Sequence, residues 1–200
     1  MPNTNKPTKD QANKIKQFIN LAFEYNKTHN LFVRTSPEDI YETDVKESLT
    51  TLKYLTNIKT LLDIGTGAGL PGMVIAITRP DIKVTLAESN RKKTYFIKKT
   101  IKQLGLKNTE VVEKHITNKS QIGKFDIITA RAFASTSKII KTCDHLLKPN
   151  GRYVLLKGKE KKILEELKTI NKNQHKYEII KLDNKNKERH ILYITNKKVE

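Results

Sequence analysis

Between Leu61 and Gly72 the chain reads Leu-Leu-Asp-Ile-Gly-Thr-Gly-Ala-Gly-Leu-Pro-Gly. A short apolar run bounded by turn residues reads as a strand buried on both faces. The alternate glycines Gly65, Gly67 and Gly69 let the backbone turn tightly and approach a ligand where any Cβ would intrude. A helical pattern follows, so the unit is strand, glycine loop, helix. Parallel strands need such helical crossovers, and this narrows the chain to an α/β sheet before anything else is considered.

The rest of the chain repeats the alternation. Strands are expected at 60–64, 83–88, 109–113, 125–130 and 152–157, with helices around 71–79, 90–104, 135–147 and 160–171. Gly105 after Leu104, and Pro149-Asn150-Gly151 after Leu147, read as helix stops. Two late strands, about 177–182 and 190–195, flank the polar turn Asp183-Asn184-Lys185-Asn186, a spacing that suits a terminal antiparallel hairpin. Ahead of the sheet, Thr8 to Gln11 has capping-box spacing, and Ile15, Phe18, Ile19, Ala22 and Phe23 form one stripe on a helix ending near Lys27. Ser36-Pro37 opens a second helical stretch with Ile40, Val45, Leu49, Leu52 and Leu55 on its buried side. The expected organisation is a helical extension over residues 1–57 covering a doubly wound, mostly parallel sheet over 58–200.

Of the 200 residues, 39 are Lys or Arg and 21 Asp or Glu, a net charge of +18 that favours polyanionic partners, nucleic acid or an anionic membrane. Heavy use of Lys, Asn and Ile, as in a compositionally biased genome, explains part of that charge without any partner. There is no signal-like apolar stretch after Met1 and no run long enough to span a bilayer, so the chain is expected to be soluble and cytoplasmic. With Cys143 as its one cysteine it forms no internal disulfide, and its five histidines lack metal-ligand spacing, so no metal is expected. Disorder is expected only in the first few residues.

Two ligands compete for the glycine loop. Residues 67–72 satisfy G-x-G-x-x-G, as in dinucleotide sites, and an NAD-type oxidoreductase is one reading. A dinucleotide, however, sets its pyrophosphate at the helix N-terminus, close to Asp63. S-adenosylmethionine carries a sulfonium and an ammonium instead, which a carboxylate at the strand end favours. Glu88, closing the second strand, is placed to accept from both ribose hydroxyls in either case.

The segments Asp63 to Gly72, Glu88-Ser89-Asn90-Arg91-Lys92-Lys93, Ala130-Arg131-Ala132-Phe133-Ala134-Ser135, Leu156-Lys157-Gly158 and Glu188-Arg189-His190 together resemble the RsmG (GidB) family. These bacterial methyltransferases modify a guanine N7 in 16S ribosomal RNA, and the resemblance runs in order from about Asn30. It implies a Rossmann-like, class I methyltransferase fold with S-adenosylmethionine at the carboxyl ends of the strands. It further implies that Gly65 and Leu70 touch the cofactor, that Ile116 and Thr117 flank its adenine, and that Arg131 lines the same pocket. The chain departs from the family pattern in two places. It has Asn30-Leu31-Phe32 for Asn-Leu-Thr, and Thr43-Asp44-Val45-Lys46-Glu47-Ser48 for Arg-His-x-x-Asp-Ser.

Guanine N7 has an in-plane lone pair and no proton to lose, so no general base is required, and catalysis rests on positioning. Arg131 and Lys157, at strand carboxyl ends, are the positioning candidates. In A-form RNA N7 lies in a deep, narrow groove, so the target belongs in a loop or is extruded. Arg91 and Lys92 at the start of the basic 89–107 segment, with Lys157, Arg189 and His190, are the candidate RNA contacts. The expected partner is 16S ribosomal RNA or the small subunit, engaged by a monomer. A non-catalytic RNA-binding protein of the same fold is the remaining alternative.

Overall fold

The computed structural model describes residues 6–171, 173–183 and 187–196. Helix α1 (Lys9–His29) starts from a reciprocal capping box: Gln11 N donates to Thr8 Oγ1 and Thr8 N donates to Gln11 Oε1. It runs two residues past the expected end, to Asn30 in the left-handed region at φ 47°. After Ser36, whose hydroxyl caps Asp39 N, the chain winds as α2 (Pro37–Ile40), a widened π-turn (Tyr41–Val45), α3 (Lys46–Leu49) and a tightened 3-10 turn (Thr50–Tyr54). The widened turn carries Asp44, Val45, Glu47 and Ser48 to the buried side, with Ser48 Oγ donating to the Asp44 carbonyl at 2.7 Å.

The sheet comprises β1 (Thr60–Ile64), β2 (Lys83–Glu88), β3 (Thr109–Glu113), β4 (Phe125–Arg131), β5 (Leu147–Lys157), β6 (His175–Lys181) and β7 (His190–Asn196). Their order is β3-β2-β1-β4-β5-β7-β6. The first five are parallel, and β7 inserts antiparallel to both β5 and β6. The polar turn expected between the last two strands lies, from Asn184 to Asn186, outside the described residues, as do Met1 to Asn5. Crossovers are supplied by α4 (Gly72–Thr78), α5 (Arg91–Leu104), α6 (Thr136–Cys143) and α7 (Glu160–Leu167).

Three expected boundaries are corrected, the end of α6, the start of β5 and the end of α7. Helix α6 stops at Cys143, and Pro149-Asn150-Gly151 lies inside β5 rather than closing a helix. Asn150 has φ 66°, and the pairing of β4 with β5 shifts between Phe125 and Ile127, so these residues form a bulge that lets the strand continue on both sides. Helix α7 ends at Leu167, four residues before the expected 171.

Each face of the sheet is covered. Leu61, Ile127, Val154 and Ile191 pack against Phe18 of α1, Ile40 of α2, Met73 of α4 and Ile97 of α5. Leu62, Ile128, Leu155 and Leu192 pack on the other face against Ile139 of α6 and Ile163 and Leu167 of α7. The alternation of strand side chains thus feeds two apolar layers, and the N-terminal helices share one of them with the sheet. Strand order reverses between β1 and β4, which opens a crevice at their carboxyl ends.

Candidate active site

The glycine loop is built from beneath by Asp63. Its carboxylate, fully buried, accepts from Thr66 Oγ1 at 2.5 Å, Gly72 N at 2.9 Å and Thr129 Oγ1 at 2.8 Å. Burial pushes its carboxyl up to about 6, against the pull of those three hydrogen bonds. Because Gly72 opens α4, the helix N-terminus is capped by a protein carboxylate rather than presented to a ligand phosphate. Asp63 does not itself face the cleft, so the expectation that it meets the cationic half of the cofactor is corrected: it shapes the loop instead.

Gly65 has φ 59°, and a Cβ there would overlap the Phe133 ring. Gly67 has φ 62°, and a Cβ there would meet nothing nearer than the Gly65 carbonyl at 3.9 Å, so the space above it is open. Both glycines border a cleft of about 780 Å³ and an adjoining hollow of about 210 Å³, with Phe133 on the wall between. Leu70 lines the larger space and Ile116 the smaller. Glu88 closes the smaller one, its carboxylate accepting Gly67 N at 3.0 Å, Ser89 N at 2.8 Å and Asn90 N at 2.9 Å.

Not every expected residue reaches the ligand space. Gly69 sits within the turn into α4, where its N–H donates to the Thr66 carbonyl, and borders neither space. Thr117 is turned away, with N–H donating to Ser120 Oγ. Lys157 borders the cleft, but its ammonium is tied to Glu166 Oε2 at 2.7 Å and the Ala134 carbonyl at 3.1 Å, which leaves it poorly placed for a phosphate. Burial works against the Glu166 charge, yet that ammonium and the Thr136 hydroxyl and N–H hold its carboxyl below the usual range. His190 is 1% exposed and its Nδ1 pairs with the Gly158 carbonyl, so the expected RNA contact is withdrawn for it on grounds of access. Arg189 remains on the cleft wall. Arg91 and Lys92 are exposed at the start of α5, outside both spaces, Arg91 lying 3.5 Å from Glu113.

A charged cluster forms the cleft's far end. Asp44, wholly buried, accepts from Arg34 Nη2 at 2.8 Å and Nε at 2.7 Å, and from Arg131 Nη1. Glu47 lies 3.9 Å from Arg131 Nη1 and 3.6 Å from Arg189 Nε, and its carboxyl is raised by burial against the pull of both guanidinia. Ala132, next along β4, has φ 50°, a backbone state that L residues seldom adopt. The sequence alone does not place Phe133, Lys93, His115, Arg34 or Glu47 at the site, although Phe133 and Lys93 border both spaces, Arg34 and Glu47 the larger and His115 the smaller. Phe133 lies within the Ala130–Ser135 motif, and Glu47 within the Thr43–Ser48 stretch that departs from the family pattern. Among the described residues, Glu160, Glu188 and His190 are the one trio whose ligand atoms lie within 4.8 Å of one another, a grouping hidden by their distance in sequence.

Glu88 at the end of β2 and the open space over Gly67 suit either ligand, but a helix N-terminus capped by the Asp63 carboxylate suits S-adenosylmethionine better than a dinucleotide. Solved structures of the same fold include a methyltransferase from Pyrococcus furiosus, with TM-score 0.64 at 18% identity, covering 94% of this chain and all of that one. Another is an S-adenosylmethionine-dependent methyltransferase from Aquifex aeolicus, with TM-score 0.63 at 17% identity, covering 87% of this chain and 97% of that one. Fold and site together define a class I, Rossmann-like, S-adenosylmethionine-dependent methyltransferase.

Residues 11–192 match the family described as GidB, rRNA small subunit methyltransferase G. A ribosomal RNA small subunit methyltransferase G from Brachyspira hyodysenteriae is 38% identical over 188 residues, 93% of this chain and 91% of that protein. One from Ruthia magnifica is 39% identical over 150 residues, 74% of this chain and 73% of its own. The chain belongs to this family.

Proposed function

We propose that the chain transfers a methyl group from S-adenosylmethionine to N7 of a guanine in small-subunit ribosomal RNA. The observation that carries the reading is the glycine loop, with its helix N-terminus capped by Asp63, opening beside a cleft walled by Arg131 and Arg189. Bound there, the cofactor supplies an electrophilic methyl on a sulfonium. Gly65 and Gly67 let it lie against the backbone, Glu88 offers its remaining lone pairs to ribose hydroxyls, and Ile116 gives the adenine an apolar surface. Phe133 and Leu70 exclude water from the wall shared with the substrate. N7 brings its own lone pair, so the side chains orient the base and no proton is removed at the reacting atom.

Arg189 on the wall, with Arg91 and Lys92 on the outer face of α5, supplies cations for RNA phosphates around an extruded or loop base. No described helix is long and apolar enough to cross a membrane, and we take the site of action as the cytoplasm, where a monomer meets ribosomal RNA or the small subunit. The test is label transfer from S-adenosylmethionine to purified small-subunit RNA and to assembled subunits, followed by mapping. Label at one guanine N7 is expected, and none at any guanine N7 would overturn the reading.

A further inference from the structure

Three carboxylates border the two spaces of the site: Glu47, Glu88 and Glu166. Two of them are committed. Glu88 accepts three backbone N–H groups, and Glu166 accepts Thr136 N, Thr136 Oγ1 and the Lys157 ammonium on one oxygen. Glu47 differs. Its side chain is 5% exposed, yet none of the described residues donates a hydrogen bond to its carboxylate. Arg189 Nε and Arg131 Nη1, at 3.6 and 3.9 Å, balance its charge from beyond hydrogen-bond distance. A nearly buried carboxylate that lines a ligand cleft and accepts no hydrogen bond from the described residues is suited to receive donors from the ligand.

We propose that Glu47 is the specificity residue that reads the target base, accepting hydrogen bonds from guanine N1–H and the 2-amino group. This rests on the guanine-N7 reading above and deepens it. The two parallel donors on guanine's Watson–Crick edge match the two oxygens of one carboxylate. Adenine and cytosine offer an acceptor beside a donor on that edge, and uracil a single donor between two acceptors, so each sets a lone pair against Glu47. The edge lies across the purine from N7, so holding it leaves N7 free to face the methyl group. As N7 gains the methyl the ring becomes cationic, its N1–H becomes a stronger donor, and the bonds to Glu47 strengthen as charge develops. The guanidinia of Arg131 and Arg189 fix the carboxylate without occupying the acceptor sites that the base needs.

The experiment uses small subunits reconstituted with RNA carrying inosine at the mapped guanine. Inosine keeps N7 and N1–H and lacks only the 2-amino group. With the wild-type chain, kcat/KM is expected to fall about 10- to 100-fold from guanosine to inosine. Glu47→Gln is expected to lose a similar factor on guanosine and little more on inosine, with affinity for S-adenosylhomocysteine unchanged by calorimetry. Equal wild-type rates on the two bases, or the same guanosine preference in Glu47→Gln as in wild type, would overturn the proposal. If the Gln variant does not fold, Glu47→Met keeps the length of the side chain and removes both acceptors. A guanosine preference undiminished in that variant would also overturn the assignment. Loss of all N7 labelling by wild type would instead overturn the functional reading, so the two failures are distinct.

Discussion

Asp44 holds two guanidinia, from Arg34 and Arg131, on one wholly buried carboxylate. Asp44→Asn keeps the shape, removes the charge and turns an N–H₂ toward a donor. Removing one partner of a fully buried ion pair costs about 3–5 kcal/mol, because the other charge is left without compensation. Here the arginine side chains are 21% and 20% exposed and partly rehydrate, which lowers the expected cost to about 2–4 kcal/mol. For a chain of this size that is a drop in Tm of about 5–15 °C. Arg131 borders the cleft and loses its anchor, so kcat/KM should fall at least about tenfold, while affinity for S-adenosylhomocysteine stays within about threefold. Chemical denaturation of Asp44→Asn, Arg34→Met and the double variant isolates the cause. If the penalty is an orphaned guanidinium, the double variant is less destabilised than the sum of the singles. Strict additivity, or a single-variant loss below about 0.5 kcal/mol, would refute the reasoning.

Gly65→Ala places a Cβ in a left-handed backbone and against the Phe133 ring, at about 1–2 kcal/mol for the backbone alone; calorimetry should show at least a tenfold loss of S-adenosylhomocysteine affinity in a folded chain, and unchanged affinity would contradict the placement of the loop. Asp63, pushed up by burial to about 6 from 3.8, binds more protons folded than unfolded between those values. The stability of wild type relative to Asp63→Asn should therefore decline as pH rises from about 4 to 6, and a flat difference would count against it. Asp126 behaves oppositely: burial works against its charge, but hydrogen bonds from Lys59 N, Thr60 N and Thr60 Oγ1, with the Lys148 ammonium, hold it at about 2. Its stabilisation relative to Asp126→Asn is present above about pH 4 and should disappear as acid denaturation curves approach pH 2. Cys143 is buried, and its thiol is pushed up to about 12 by burial and the nearby Asp144, so iodoacetamide at pH 8 should label it only after denaturation.

The fold was legible where pattern and chemistry are local. Leu61-Leu62 and Ile127-Ile128 announce doubly covered strands because successive positions, which face opposite sides of the sheet, are both apolar. The capping residues Thr8 and Ser36 mark helix starts for the same reason: the donor they satisfy lies three residues away. Pro149-Asn150-Gly151 misled because those residue types suit a helix stop and a strand bulge alike. Only the pairing of β4 with β5, set by residues more than twenty positions apart, decides between them.

The site divides along the same line. The loop from Asp63 to Gly72 was readable as a ligand cradle, but the direction of the Asp63 carboxylate was not, since Thr129 Oγ1 reaches it from a strand 66 positions away. Asp44 shows the limit more sharply. In sequence, Thr43-Asp44 is a departure from the family's Arg-His, and the N-terminal helices lose their recognisable chemistry with it. In the fold, that same Asp44 accepts Arg131, 87 positions further on, and Arg34 from the loop before α2. The widened turn over Tyr41–Val45 is what brings Asp44 and Glu47 to the same buried side, where Glu47 faces the cleft with its acceptors open. The net +18 carries none of this information, because what distinguishes Arg34, Arg131 and Arg189 from the other paired cations among the described residues is that the acids held against them, Asp44 and Glu47, are buried.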